Sequence, residues 1–199
     1  MVQWAGVGDK TPREKLLDAA TEYVAAHGFG DVSLRTLAGA LGTSHRMLIF
    51  HFGSKDRLWI EIVHAVEQRQ RERLRELMPA PGQPTREALW TWWKHISDPS
   101  LWPNERLFFE LYGQALQGRA HAAGFLDGIV EDWVEPVARA SIAQGVPESL
   151  ARAQARLGVA VTRGLLLDLL ATRDTEGVDQ AMHALIDLYE VGVARAADD

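Results

Sequence analysis

Arg46 carries a planar guanidinium that can give two parallel hydrogen bonds to O6 and N7 of one guanine, a contact that discriminates by ~1–3 kcal/mol. A phosphate is the rival acceptor for the same group. Ser44 and His45 precede Arg46 where the spacing begins a helix, and base-edge contacts concentrate at such a start. His45 has two readings, a base contact or plain solvent exposure. Lys55 begins a longer helical pattern, where its ammonium and the helix N-terminal amides can meet one phosphate; the alternative is a free surface lysine. A second set of residues is aromatic: Trp93, Trp102, Phe108, Tyr112, Phe125 and Trp133 belong to a chain with 7 Trp. Rings at helical spacing are ordinarily core. Arg163 and Asp168 interrupt an apolar helical run, and a surface salt bridge between them is the plain alternative.

These side chains need elements to hold them. Ser33 is a good N-cap, and Leu34, Leu37, Ala38 and Leu41 make a stripe at helical spacing. Gly42 accepts the left-handed backbone that ends a helix. Thr43 and Ser44 cap a second start, with Met47, Leu48, Phe50 and His51 continuing one face over about 44–51. Two short helices about a glycine turn make a helix-turn-helix, whose second helix is the one to enter a major groove. Thr11-Pro12-Arg13-Glu14 is a capping box before Leu16, Leu17, Ala20, Tyr23 and Val24, a helix that Gly28 and Gly30 end. Phe29 and Val32 are expected to close the small core.

The stretch SLRTLAGALGTSHRMLIFHFGSKDRL resembles the DNA-binding segment of the TetR family of bacterial regulators. The resemblance rests on Ser33, Ala38 to Gly42, Leu48-Ile49-Phe50-His51-Phe52 and Ser54-Lys55, and it covers the first quarter to third of the chain. Ile49 departs from it, standing where the family usually has a Tyr whose hydroxyl reaches a phosphate, a contact isoleucine cannot make. The resemblance implies that Arg35 reaches a base or phosphate, against a solvated helix-start arginine. It also implies that His51 touches phosphate, against a buried histidine capping the next turn. An effector pocket among central helices is implied too, lined by some of the aromatic rings. His95, Arg106, His121, Arg163 and Asp168 are the candidates for orienting polar contacts there.

Composition sets the bounds. The chain has 199 residues, 47% apolar and 24% charged, with no cysteine, which excludes a disulfide framework and thiolate chemistry. Net charge is −6, but residues 1–60 hold seven Lys and Arg against six Asp and Glu, net +1, leaving −7 for the remainder. Strong non-specific DNA binding is not expected at that charge, so binding rests on a few placed contacts doubled by dimerisation. Residues 1–9 lack the pattern of a signal peptide and no apolar run has membrane length, so a cytoplasmic protein with no membrane partner is expected.

From Ser54 a helix is expected over about 55–78, with Leu58, Ile62, Ala65 and Val66 as its stripe and a polar run beyond. Pro79, Pro81, Gly82 and Pro84 make the clearest loop. A Trp-rich helix follows over 85–97, with Leu89, Trp93 and Ile96 on one face and Trp92 flanking. Residues 99–104 read as irregular, 105–117 as helix. Phe125, Ile129, Trp133 and Val137 recur every fourth residue and predict one helix bent at Pro136. After Gly145-Val146-Pro147 come helices over 148–172 and 177–196 with apolar surface on more than one side. In the family the last two helices pair with their copies in a four-helix bundle.

Enzyme signals are poor. Glu61-x-x-His64 has the spacing of a di-iron ligand pair, but no second pair exists. Glu131, Asp132 and Glu135 read as a solvated charge cluster, and no zinc-protease, phosphate-loop or serine-elbow motif occurs. No catalytic residue, metal or cofactor is assigned. The expectation is an all-α chain: a three-helix DNA-binding domain over 1–54, then a helical effector-binding and dimerisation domain over 55–199. Its function would be that of a homodimeric regulator, a repressor released from a double-stranded operator by a hydrophobic or aromatic small molecule. The alternatives are a DNA-binding regulator without such an effector, or an all-helical enzyme.

Overall fold

Thr11 and Glu14 satisfy each other. The Thr11 N–H donates to Glu14 Oε2 at 2.7 Å and its hydroxyl accepts from the Glu14 N–H at 3.2 Å, the reciprocal arrangement of a capping box. In the computed structural model, which describes residues 10–27, 32–78, 85–122 and 124–198, this opens α1 (Pro12–His27). Gly28, Phe29 and Gly30, expected to end it, lie outside the described residues, as does the loop expected at Pro79, Pro81, Gly82 and Pro84. Val32 packs against the N-terminal core. The Ser33 hydroxyl accepts from the Thr36 N–H at 3.1 Å at the start of α2 (Leu34–Ala40). Gly42 turns the chain at φ 64°, and the Ser44 hydroxyl accepts from the Met47 N–H at 3.2 Å to begin α3 (His45–Phe52).

One face of α3 differs from expectation. Leu48 enters the core with Phe52 four residues on, whereas Met47 is 41% and Phe50 76% exposed. Two residues of α-helix rotate a side chain by about 200°, so Phe50 points away when Leu48 points in. Ser54 caps α4 (Lys55–Leu77), accepting from the Arg57 N–H at 3.1 Å. Arg13 binds this unit together: its Nη2 lies 2.6 Å from both Glu61 carboxylate oxygens, its Nε donates to the His51 carbonyl at 3.1 Å, and its guanidinium lies 5.0 Å from the Phe52 ring centre. Glu61 is thereby engaged in the α1–α4 junction.

The remaining helices are α5 (Thr85–Ile96), α6 (Trp102–Leu116), α7 (Glu131–Ala143), α8 (Glu148–Thr172) and α9 (Thr175–Asp198). The segment expected to be irregular is a 3-10 turn, Pro99–Leu101, running into α6 at Trp102. Pro103 is tolerated there because the first helical turn has no use for its missing N–H. The single helix expected through Phe125 and Trp133 is broken. Residues 124–130 are turns with Gly124 at φ 82° and Gly128 at φ 70°, and helix begins only at Glu131, with Pro136 inside it. Phe125 and Ile129 are still buried, so their spacing reflects a common core rather than a common helix. Glu131 is exposed, as expected, and Glu135 half-buried, and on that face both meet α8: Arg156 donates to Glu131 at 3.0 Å and Arg152 to Glu135 at 2.7 Å.

Two large apolar cores result among the described residues, with a small third one of Val134, Ala138 and Ala155 between α7 and α8. One joins α1–α4 to Leu107, Phe108 and Leu111 of α6 and to Phe125 and Ile129. The other joins the C-terminal end of α4 to α5, α8 and α9 around Trp92, Trp93, Ile96, Leu169 and Ile186. Long α4, ~35 Å by helical rise, contributes to both. Among the described residues no helix is long and apolar enough to cross a membrane.

Candidate nucleic-acid interface and central cavity

On the helix-turn-helix, Arg35, Ser44, His45 and Arg46 are exposed. Neither Arg35 nor Arg46 has a hydrogen-bond or ion-pair partner among the described residues. Thr43 is half-buried in the turn, its N–H held by the Ala38 carbonyl at 2.9 Å. His51 is half-buried, its ring edge-on to Phe50 at 5.1 Å between centres. Lys55 is exposed at the start of α4, its Nζ 5.6 Å from the Trp59 ring centre. The short helix α3 therefore presents Ser44, His45, Arg46, Met47 and Phe50 on its free side, with Lys55 at the neighbouring helix start. The apolar part of that face is new. Phe50 and Met47 can meet thymine methyl groups in a major groove, as apolar side chains do. The signal that finds them is their two- and one-residue offset from Leu48.

A cavity of about 590 Å³ lies between α4, α5, α6, α7, α8 and α9. Its wall is mostly apolar, with Trp92, Phe108, Trp133, Val137, Leu166 and Ile186 among its residues. Of the ring and polar residues singled out in the sequence, Phe108, Trp133 and Arg163 are on the wall. Trp93 is fully buried beside it, its indole N–H donating to Asp179 Oδ1 at 2.6 Å. Trp102 donates to the Ser97 carbonyl at 3.0 Å, and Phe125 is solid N-terminal core. Tyr112 lies behind Phe108, 5.6 Å between ring centres. Asp168 and Arg106 are exposed and off the wall. The Arg163–Asp168 salt bridge does not form; the Arg163 guanidinium donates to the Ile129 carbonyl and lies 5.2 Å from the Phe108 ring centre. His95 reaches Gln70 Oε1 at 2.8 Å, and the His121 side chain lies outside the described residues.

Sequence reasoning missed the wall's polar groups. Gln70 belongs to the run read as almost entirely polar, Glu67 directly precedes that run and Glu105 begins a helix, yet all three are buried and line the cavity. The Trp133 indole N–H donates to Glu67 Oε2 at 2.7 Å, with Arg71 Nη1 at 3.9 Å from the same oxygen. The Glu105 carboxyl has no hydrogen-bond or ion-pair partner among the described residues. Burial, and then the neighbouring Glu67, push Glu105 up to about 8, against the pull of Arg163. Burial also raises Glu67, outweighing the Trp133 hydrogen bond and the attraction of Arg163 and Arg71.

The sign of this shift makes a stability prediction. Unfolded, Glu105 releases its proton near 4.5; folded, it keeps the proton to about 8. The stabilisation is fully present below the unfolded value and is lost as pH rises through the folded one, at about 1.4 kcal/mol per pH unit in between. Urea midpoints should fall from pH 6 to pH 8 in the native chain, and Glu105→Gln should flatten the fall. Equal pH dependence in both proteins contradicts a buried, protonated Glu105.

Residues 16–62 match the family model for bacterial regulatory proteins, tetR family. Over 50 residues the chain is 46% identical to the HTH-type transcriptional regulatory protein RaaS of Mycobacterium tuberculosis, a match covering 25% of this chain and 23% of that protein. The chain thus spans about a quarter of that relative's length. Beyond that segment the likeness is one of fold. A transcriptional regulator from Rhodococcus sp. Rha1 superposes with TM-score 0.71 at 21% identity, over 92% of this chain and 97% of that one. The multidrug binding protein EbrR, solved with proflavin, gives 0.59 at 23% identity over 87% of this chain and 98% of that one. Residues 16–62 are accordingly similar to the tetR family of bacterial regulatory proteins, and the chain as a whole shares the all-helical fold of solved transcriptional regulators.

Proposed function

We propose that this DNA-binding regulator works as a cytoplasmic homodimer that represses from a pseudo-palindromic operator and is released when a hydrophobic or aromatic small molecule enters the cavity. Residues 1–54 would read DNA and residues 55–199 would bind effector and partner. Arg35, Thr43, Ser44, His45, Arg46, His51 and Lys55 are the proposed DNA contacts, with Phe50 and Met47 added. The copies would pair through α8 and α9, where Leu157 is 55% and Leu188 70% exposed. Two recognition helices would then occupy successive major-groove turns.

One observation carries the coupling: α4 holds Leu58 and Ile62 in the DNA-binding core at one end and lines the cavity with Glu67, Gln70 and Leu74 at the other. Phe108 belongs to both places. A ligand that displaces the inner end of α4 moves the outer end, and the spacing of the two DNA-binding units with it. DNA must then weaken effector binding by the same factor that effector weakens DNA binding. The open cavity favours this reading over a regulator with no small-molecule effector, and EbrR's bound proflavin supports a ligand in this fold. The test is a gel shift with the chain's own upstream region across salt, followed by titration with hydrophobic compounds. Specific complexes that survive moderate salt and dissolve as tryptophan fluorescence saturates support it; absence of any sequence preference removes it.

A further inference from the structure

Charge balance inside the cavity narrows the ligand. Arg71 and Arg163 stand against three carboxyl groups, Glu67, Glu105 and Asp132, on and behind the wall where α4, α6, α7 and α8 meet. Arg71 lies 3.9 Å from Glu67 and 3.8 Å from Asp132, and Arg163 is turned to the Ile129 carbonyl and the Phe108 and Tyr112 rings. With all three carboxyls ionised the group is one negative charge in excess, and one proton on the Glu67–Glu105 pair makes it neutral. The other elements on the cavity add no free positive charge: Arg86 of α5 is tied at the rim to two carboxylates of α9, Asp187 and Glu190, which leaves that group one negative charge in excess. His64, behind the wall on α4, is held toward its neutral form by burial.

We propose that the cavity takes a flat aromatic monocation, its charged nitrogen beside Glu105 and its rings against Trp92, Phe108 and Trp133, and that one proton leaves the Glu67–Glu105 pair as it binds. Only an O–H bond breaks, the proton passes to solvent, and the cluster is neutral before and after. A buried carboxylate without a hydrogen-bond partner is costly, and the ligand cation supplies the partner that Glu105 lacks. Ring faces on the wall favour the same charge. An anion would face two carboxyl groups while Arg163 is already engaged, and an uncharged ligand could take a hydrogen bond from the protonated carboxyl but would not compensate the charge of an ionised one. This rests on the effector reading above.

The test uses proflavin, a cation at neutral pH, and acridine, the same ring system uncharged there, titrated into the full chain by tryptophan quenching from pH 6.5 to 8. Proflavin should bind at least ~tenfold tighter than acridine at pH 8, and its affinity should rise toward tenfold per pH unit, the slope of one released proton. Acridine affinity should stay flat. Calorimetry in two buffers of different ionisation heat should find about one proton released per site. Glu105→Gln, which keeps the neutral shape, should cost proflavin at least ~tenfold and its pH slope while leaving acridine unchanged. If both dyes bind alike, or the slope is absent, the charge assignment is overturned and the cavity remains a ligand site. If neither binds while DNA is still bound specifically, the proposal falls, and the effector reading must rest on other compounds.

Discussion

Arg35→Ala combined with Arg46→Ala is expected to lower affinity for specific DNA by about 30-fold to 10⁴-fold. The estimate takes ~1–3 kcal/mol for one bidentate base contact and counts it twice for two half-sites. The loss should be uncommonly clean. Both side chains are exposed and free of partners among the described residues, so helix content and thermal stability should not move. The salt dependence should also become shallower, by about one unit of slope for each phosphate that either arginine had neutralised. Arg46→Ala alone separates two readings. Loss of preference at one guanine position marks base contact, and uniform weakening on all sequences marks phosphate. If the double variant binds as tightly as the native chain, these residues do not face the duplex.

The largest stability effect belongs to Trp93→Ala, at ~3–5 kcal/mol. Trp93 is fully buried in the core shared by α5, α8 and α9, and its N–H is bonded to Asp179. Removal leaves a large void and takes one partner from a carboxylate that still meets Lys94 at 2.9 Å. The urea midpoint should fall steeply, whereas Trp93→Phe should lose mainly the hydrogen bond, ~1 kcal/mol. Because Trp93 is off the cavity wall, the phenylalanine variant should bind ligand as the native chain does. A midpoint unmoved by Trp93→Ala would place that ring in solvent.

Where local chemistry decides, the sequence was readable. Ser33, Ser44 and Ser54 each cap the helix expected of them, and α8 spans the residues its pattern marked, between Pro147 and the left-handed Arg173. Local chemistry fails where partners are remote. Glu67 looks like one more charge at the head of a polar run, and only Trp133, 66 residues away, explains its burial. Trp93 and Trp133 have the same helical spacing and opposite fates, core and cavity wall, because packing from α9 and α8 decides between them. Phe125 and Ile129 misled through true burial: their period of four came from one shared core, while Gly124 and Gly128 prevented the helix. Phe50 shows the reverse, an apolar residue placed on one face with Leu48 that the winding of α3 turns outward.

The proposed dimer's seating on DNA can be measured directly by methylation protection across the upstream region, read at guanine N7 in the major groove and adenine N3 in the minor groove. Two patches of protected guanine N7, about one helical turn apart, are the expected pattern, with the protection at one guanine of each patch disappearing in Arg46→Ala. Protection confined to adenine N3, or none above that of random DNA at equal salt, would contradict a duplex lying against Ser44, His45 and Arg46.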